Sequence, residues 1–83
     1  GLVIQGAEET VETVEVSPDS PVAGKTLREA GIAEETGMWV LYIRRGGRWL
    51  KPKPNTRLLP GDLVVASGYS EGEEDFKKLL GGG

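Results

Sequence analysis

The sequence predicts an α+β fold: a two-layer, mixed four-stranded sheet with two helices, in the order β-α-β-β-β-α, that dimerises. Three observations carry this. Thr10–Val16 (TVETVEV) and Leu63–Ser67 (LVVAS) are rich in β-branched residues, which suit strands. Met38–Ile43 (MWVLYI) is an unbroken apolar run, followed at once by Arg45-Gly46-Gly47-Arg48, a hairpin signal. Glu71–Leu80 places acids early, Lys77-Lys78 late, and Phe76, Leu79 and Leu80 on one face, as an amphipathic helix does.

Residues 1–10 read as a linker or the tail of an upstream element, with Leu2–Ile4 a short apolar run that stops at Gly6. The first strand, Thr10–Val16, is broken by Ser17-Pro18-Asp19-Ser20-Pro21. Ala23–Ala30 is the first helix, with Leu27 and Ala30 on one face, Lys25 and Arg28 outward, and Gly31 as its stop. Ala33–Thr36 adds one turn before Gly37. Met38–Ile43 is a central strand, and Arg48–Lys51 returns from the Gly-Gly turn until Pro52 and Pro54 end it. Leu59-Pro60-Gly61-Asp62 is a turn into the last strand, and Ser70 caps the last helix. The domain proper spans 11–80, and 81–83 form a flexible tail.

An apolar run on both faces of Met38–Ile43 asks for cover on both sides of the sheet, yet two short helices cover one. A chain of 83 residues also has a marginal core. A second copy resolves both, so a homodimer is expected, with Leu27, Ile32, Met38, Trp39 and Val40 as interface candidates. Gly1 in place of an initiator Met points to a fragment or a cleavage scar. The sequence carries no targeting motif, so a cytoplasmic location is expected, including the cytoplasmic face of a membrane through a parent protein.

The composition removes most catalytic chemistry. The chain has no Cys and no His, hence no thiolate nucleophile and neither the commonest general base nor the commonest metal ligand. No enzyme activity, metal or cofactor is expected. Gly24-Lys25-Thr26 resembles the end of a P-loop, but Asp19 stands where that motif needs a glycine, and a carboxylate there repels phosphate. The carboxylates at 8–9, 34–35 and 71–75 lack the spacing of a calcium loop and read as solvated faces. Residues 1–37 hold eight acids and two bases, whereas 38–69 hold six bases and one acid. The basic hairpin 44–57, with Trp49 inside it, is the one segment suited to nucleic acid. The net charge of −3 weighs against a dedicated polyanion binder, so no nucleic-acid partner is expected.

Several pieces then align: Val14-Glu15-Val16, the run Ser20-Pro21-Val22-Ala23-Gly24-Lys25-Thr26-Leu27-Arg28-Glu29, Gly37, Val40–Arg45, Leu59-Pro60-Gly61-Asp62-Leu63-Val64-Val65 and Gly68. In this order they resemble the C-terminal domain of RCK proteins, also called the TrkA C-terminal domain, over residues 11–69. Residues 1–10 and the helix after Gly68 look most like versions attached to PhoU-like helical domains. The resemblance implies a dimeric, ligand-sensing regulatory domain of a prokaryotic potassium or other cation channel or transporter. Its partners would be an upstream domain or a membrane channel or transporter subunit, and a small effector at the dimer seam. The dinucleotide-binding half common in such proteins is missing, since no G-x-G-x-x-G occurs. A nucleic-acid-binding module and a purely structural dimerisation unit are the alternatives.

The resemblance also implies a ligand site between the first helix and the second strand. Members that bind cyclic dinucleotides place apolar residues and a proline around the base there, with basic and amide groups nearby. Ile32 and Pro52 fit the apolar part, Arg28 is the nearby base, and Trp39 stands where an amide is expected. Glu34, Glu35 and Thr36 occupy the approach, so a neutral or cationic ligand, or none, is expected in preference to a cyclic dinucleotide.

Overall fold

The structure, a computed structural model, describes residues 8–82; Leu2–Ile4 and Gly83 lie outside them. The elements are β1 (Glu9–Glu15), α1 (Leu27–Ala30), α2 (Ile32–Thr36), β2 (Met38–Arg45), β3 (Arg48–Leu50), β4 (Leu63–Tyr69), a 3-10 turn (Ser70–Gly72) and α3 (Glu73–Gly81). The two-layer α+β architecture is the expected one. The sheet, however, is antiparallel throughout rather than mixed, with strand order β1-β4-β2-β3. β1 and β2 do run parallel, as a helical crossover requires. The last strand inserts between them, so no parallel pair is hydrogen-bonded.

Local chemistry sets the element ends. Helix α1 starts at Leu27 and not at Ala23, because Thr26 is its N-cap. Thr26 Oγ1 accepts from Glu29 N (3.2 Å) while Glu29 Oε1 accepts from Thr26 N (2.9 Å), a reciprocal capping box. Donation to Glu29 Oε1 from Thr26 N and from Thr26 Oγ1 (3.0 Å) holds the Glu29 carboxyl below its usual range. Gly46 and Gly47, at φ +55 and +80, form the tight β2–β3 turn, which requires left-handed backbone at both positions. Helix α3 is entered through the 3-10 turn, with Gly72 as N-cap in place of Ser70. The expected tail is partly structural: Gly81 ends α3, and Gly82 caps it by donating from N to Lys78 O at 3.1 Å.

One layer of side chains forms the core. Val16, Val22, Ile32, Met38, Ile43, Leu58, Val64, Ala66, Phe76 and Leu80 are buried together, with α2 and α3 against one sheet face. A register shift between Val40 and Tyr42 marks a bulge at Leu41. It lets Val40 and Ile43, three residues apart, both face the helices. None of the described helices is long and apolar enough to cross a membrane.

The turn before β4 is clasped by an ion pair. Arg45 donates from Nε to Asp62 Oδ1 and from Nη2 to Asp62 Oδ2, both at 2.7 Å, and Leu59 N donates to Asp62 Oδ2 at 2.8 Å. Burial alone would push the Asp62 carboxyl up; the Arg45 and Leu59 hydrogen bonds outweigh it and hold the group below its usual range. A lowered carboxyl contributes stability above the unfolded value of about 3.9 and loses it as pH falls through the folded value. Arg45→Leu leaves this carboxylate, 1 % exposed, with a single amide donor. Because Arg45 is itself 38 % exposed, the expected loss is about 2 kcal/mol at pH 7, below that of a fully buried pair. Urea unfolding should show the deficit narrowing towards pH 4, where the variant's carboxyl takes up a proton.

A close approach between the 3-10 turn and α2 yields a second test. A Cβ on Gly72 would lie 2.1 Å from Thr36 O. Gly72→Ala should therefore cost about 1–3 kcal/mol by overpacking, read as a lower urea midpoint with an unchanged m-value.

Candidate ligand groove

Helix α1 and the loop after β3 build a groove beside the part of β2 that short β3 leaves unpaired. The loop is rigidified by its own threonine. Thr56 Oγ1 accepts from Lys53 N (3.0 Å) and donates to Lys51 O (3.1 Å), and Thr56 N donates to Lys53 O (2.9 Å). From the other side, Leu27 N donates to Thr56 O (2.9 Å) and Arg28 N to Pro54 O (3.0 Å). These are first-turn amides of α1, which a helix leaves without internal partners. The Pro52-Lys53-Pro54 ridge is thereby set against Leu27 and Arg28.

Two adjoining hollows of about 360 and 150 Å³ lie between ridge and helices, and both are lined by Leu27, Glu34 and Pro52. Arg28, Lys53 and Pro54 complete the larger; Ile32, Ala33 and Val40 complete the smaller. Ile32 is buried and forms floor more than rim. The centre of the groove is apolar, and its margin carries two bases against one acid.

Of the ligand candidates, Arg28, Ile32 and Pro52 meet here, joined by the interface candidates Leu27 and Val40. Trp39 does not: it is 67 % exposed on the opposite face of the sheet. Met38 is fully buried in the protomer's own core, with no surface to offer a partner. Strand geometry separates these three neighbours, since successive side chains point to opposite faces. The acids expected at the approach reduce to Glu34. Glu35 and Thr36 line a different hollow, with Asp75, Lys78 and Leu79, and the Thr36 hydroxyl donates to Ile32 O at 2.7 Å. Lys53, Ala33 and Pro54 were not singled out from sequence as ligand-site residues. The signal for the ridge was the Pro-Lys-Pro-Asn-Thr run, whose prolines fix φ and whose threonine can clamp a turn.

The remaining chemical candidates are absorbed by structure. The Gly24 carbonyl accepts from Arg57 Nη1, and Gly24 N donates to Leu58 O, so Gly24-Lys25-Thr26 is a structural corner. On the helix side of β1, Lys77 Nζ lies 3.2 Å from Glu73 Oε1 and 4.0 Å from Glu12 Oε2. Sharing a hydrogen bond with Glu73 pushes the Glu12 carboxyl up, and the same bond with Lys77 beside it brings Glu73 down. Among the described residues, no group of three or more acidic side chains could hold a metal ion.

Comparison with known proteins shows what the chain resembles. The chain is 37 % identical over 76 residues to sodium/sulfate cotransporter 2 of Chlamydomonas reinhardtii, covering 90 % of this chain and 8 % of that protein. It is 34 % identical over 59 residues to potassium channel protein 1 of Methanocaldococcus jannaschii, covering 70 % of this chain and 18 % of that protein. The chain thus spans a small part of either relative. Its fold superposes on the RCK_C domain dimer of S. agalactiae BusR, solved in complex with c-di-AMP, with a TM-score of 0.78. That likeness has 24 % identity and covers 86 % of this chain and 89 % of that one. The TrkA-C domain profile matches residues 11–81, from within β1 to the last residue of α3, and the chain belongs to the TrkA-C domain family.

Proposed function

We propose that this domain is a non-catalytic regulatory module of a cation channel or transporter, working at the cytoplasmic face of the membrane. Two copies pair through the groove side, and a small anionic effector with an apolar base or ring seats at their seam. The observation that carries this reading is the groove itself: an apolar centre of Leu27, Ile32, Val40 and Pro52 with Arg28 and Lys53 at its rim. A single Glu34 opposes them, so a pair of grooves offers a net positive margin to a phosphate. This reverses the charge preference read from the sequence. Three of the six bases of the hairpin are engaged elsewhere. Arg45 holds Asp62, Arg57 holds the Gly24 carbonyl, and Arg44 lies over Trp49, which weakens the nucleic-acid alternative.

Cyclic diadenosine monophosphate, present in the BusR domain structure, is the first ligand to test. Calorimetry should show saturable binding at about one ligand per two chains, weakening as salt rises. Lys53→Glu should lower the affinity roughly tenfold or more without moving the apo melting temperature. Absence of both heat and thermal stabilisation with this ligand, other cyclic dinucleotides and ATP would leave a purely structural dimerisation unit.

A further inference from the structure

Among the described residues nothing packs over the sheet face turned away from the helices, and the residues of this face follow directly from the register. Rows across the sheet on this side are Glu15–Leu63–Arg44–Trp49, Thr13–Val65–Tyr42, Val11–Ser67–Trp39 and Glu9–Tyr69. Directly paired residues of an antiparallel sheet share a face, so these rows form one surface. Trp39, Trp49 and Tyr69 are 67, 59 and 55 % exposed, and Val11 and Tyr42 add to them. A contiguous apolar patch of this kind on a small domain marks an interaction site. Its relief alternates knobs and holes: a hollow of about 330 Å³ lies at Tyr42 and Trp49, and one of about 260 Å³ between Trp39 and Tyr69 over Ser67 and Gly68.

We propose that this face is a second homotypic interface, on which two copies of the chain pack sheet to sheet about a two-fold axis running along the strands. The distribution of charge selects that occupant. The outward acids, Glu9 and Glu15, sit on edge strand β1. The outward base, Arg44, sits on β2 with its guanidinium 4.9 Å from the Trp49 ring centre. A two-fold axis along the strands exchanges the left and right edges of the sheet and leaves each row at its own height. It lays β1 of one copy over β2 and β3 of the other, and brings Glu15 to the row that holds Arg44 and Trp49. The surface is self-complementary in the way an isologous contact requires. A two-fold axis across the strands would instead set β1 on β1, acid on acid. A nucleic acid stacking on the rings would meet Glu9 and Glu15 at the two ends of one edge. Facing sheets about 10 Å apart would interdigitate the rings and exclude water from the part-exposed Leu63 between them, over a Val65 that is already buried.

None of the residues lining the ligand groove lies on this face, so the proposal stands apart from the groove reading. The chain's two tryptophans, Trp39 and Trp49, both lie on it, and their fluorescence reports this contact alone. Dilution of the 83-residue chain, followed by tryptophan emission and sedimentation together, tests it. The expected result is emission at shorter wavelength in the associated species, moving to that of water-exposed indole on dilution. Arg44→Glu should weaken this association roughly tenfold, and adding Glu15→Arg should recover most of the loss. Emission that stays at the exposed position while sedimentation shows a dimer would assign pairing to the groove alone and overturn the proposal. So would exposed emission in a monomer at every concentration, which would leave the face to a different partner or a flanking domain. Charge-reversal variants that leave the emission change intact would overturn the two-fold arrangement.

Discussion

The bidentate contact between Arg45 and Asp62 is the constraint on which the rest of the fold depends. It joins the last residue of β2 to the residue before β4, 17 positions later. The backbone around the same turn is bonded to β1's exit, with Val16 N donating to Asp62 O and Gly61 N to Val16 O, both at 2.8 Å. Arg45 Nη2 also donates to Arg57 O at 2.8 Å, and Arg57 reaches Gly24. The ends of two strands, the loop after β3 and the corner before α1 therefore converge on one carboxylate. With this turn held, β4 begins between β1 and β2, and its amides and carbonyls pair on both sides. A carboxylate this deeply buried is tolerable because both of its oxygens meet donors, Oδ1 one and Oδ2 two.

Inserting β4 centrally has a consequence for the surfaces. The helices occupy one face, and among the described residues none packs over the other. On the covered face, β3 ends at Leu50 because prolines follow, and this shortness leaves Val40 open to the groove. On the bare face, the bulge at Leu41 resets the alternation of β2, so Tyr42 and Arg44 point outward with Trp39 while Val40 and Ile43 keep the core. One irregular residue thus serves both the groove and the aromatic surface.

Much of this was legible in the sequence, and the misses have physical causes. The four strands, the Gly-Gly turn and the terminal amphipathic helix follow from local chemistry, which residues within a few positions determine. The helix starts shifted because capping won over periodicity: Thr26 with Glu29 for α1, and a 3-10 turn wedged against Thr36 for α3. The central place of β4 was hidden, because pairing order depends on contacts such as Arg45 with Asp62 that no local pattern encodes. For the groove, the family resemblance pointed to Arg28, Ile32 and Pro52, and these residues do line one hollow region. Grouping Met38, Trp39 and Val40 as one interface ignored strand alternation, which alone would have separated them. Lys53 escaped as a groove residue because its position depends on the Thr56 clamp and on α1's first amides, both tertiary.

Strand β2 is shared by two surfaces of different character. Val40 lines the groove, its neighbour Trp39 stands on the aromatic face, and the bulge lies directly beyond them. A ligand pressing on Val40 acts on the same backbone that carries Trp39 and Tyr42 outward. Occupancy of one surface can bias the other only if it binds one arrangement of this strand more tightly than another. Where it does, the coupling is reciprocal, and assembly on the aromatic face changes groove affinity by the same factor. A two-residue step along one bulged strand is a short route for such coupling. It needs no relay through the core, where Met38 and Ile43 are packed too tightly to take a second position cheaply. The bulge is the natural hinge, because its extra residue is the one position inside β2, short of its last residue, without a partner on β4.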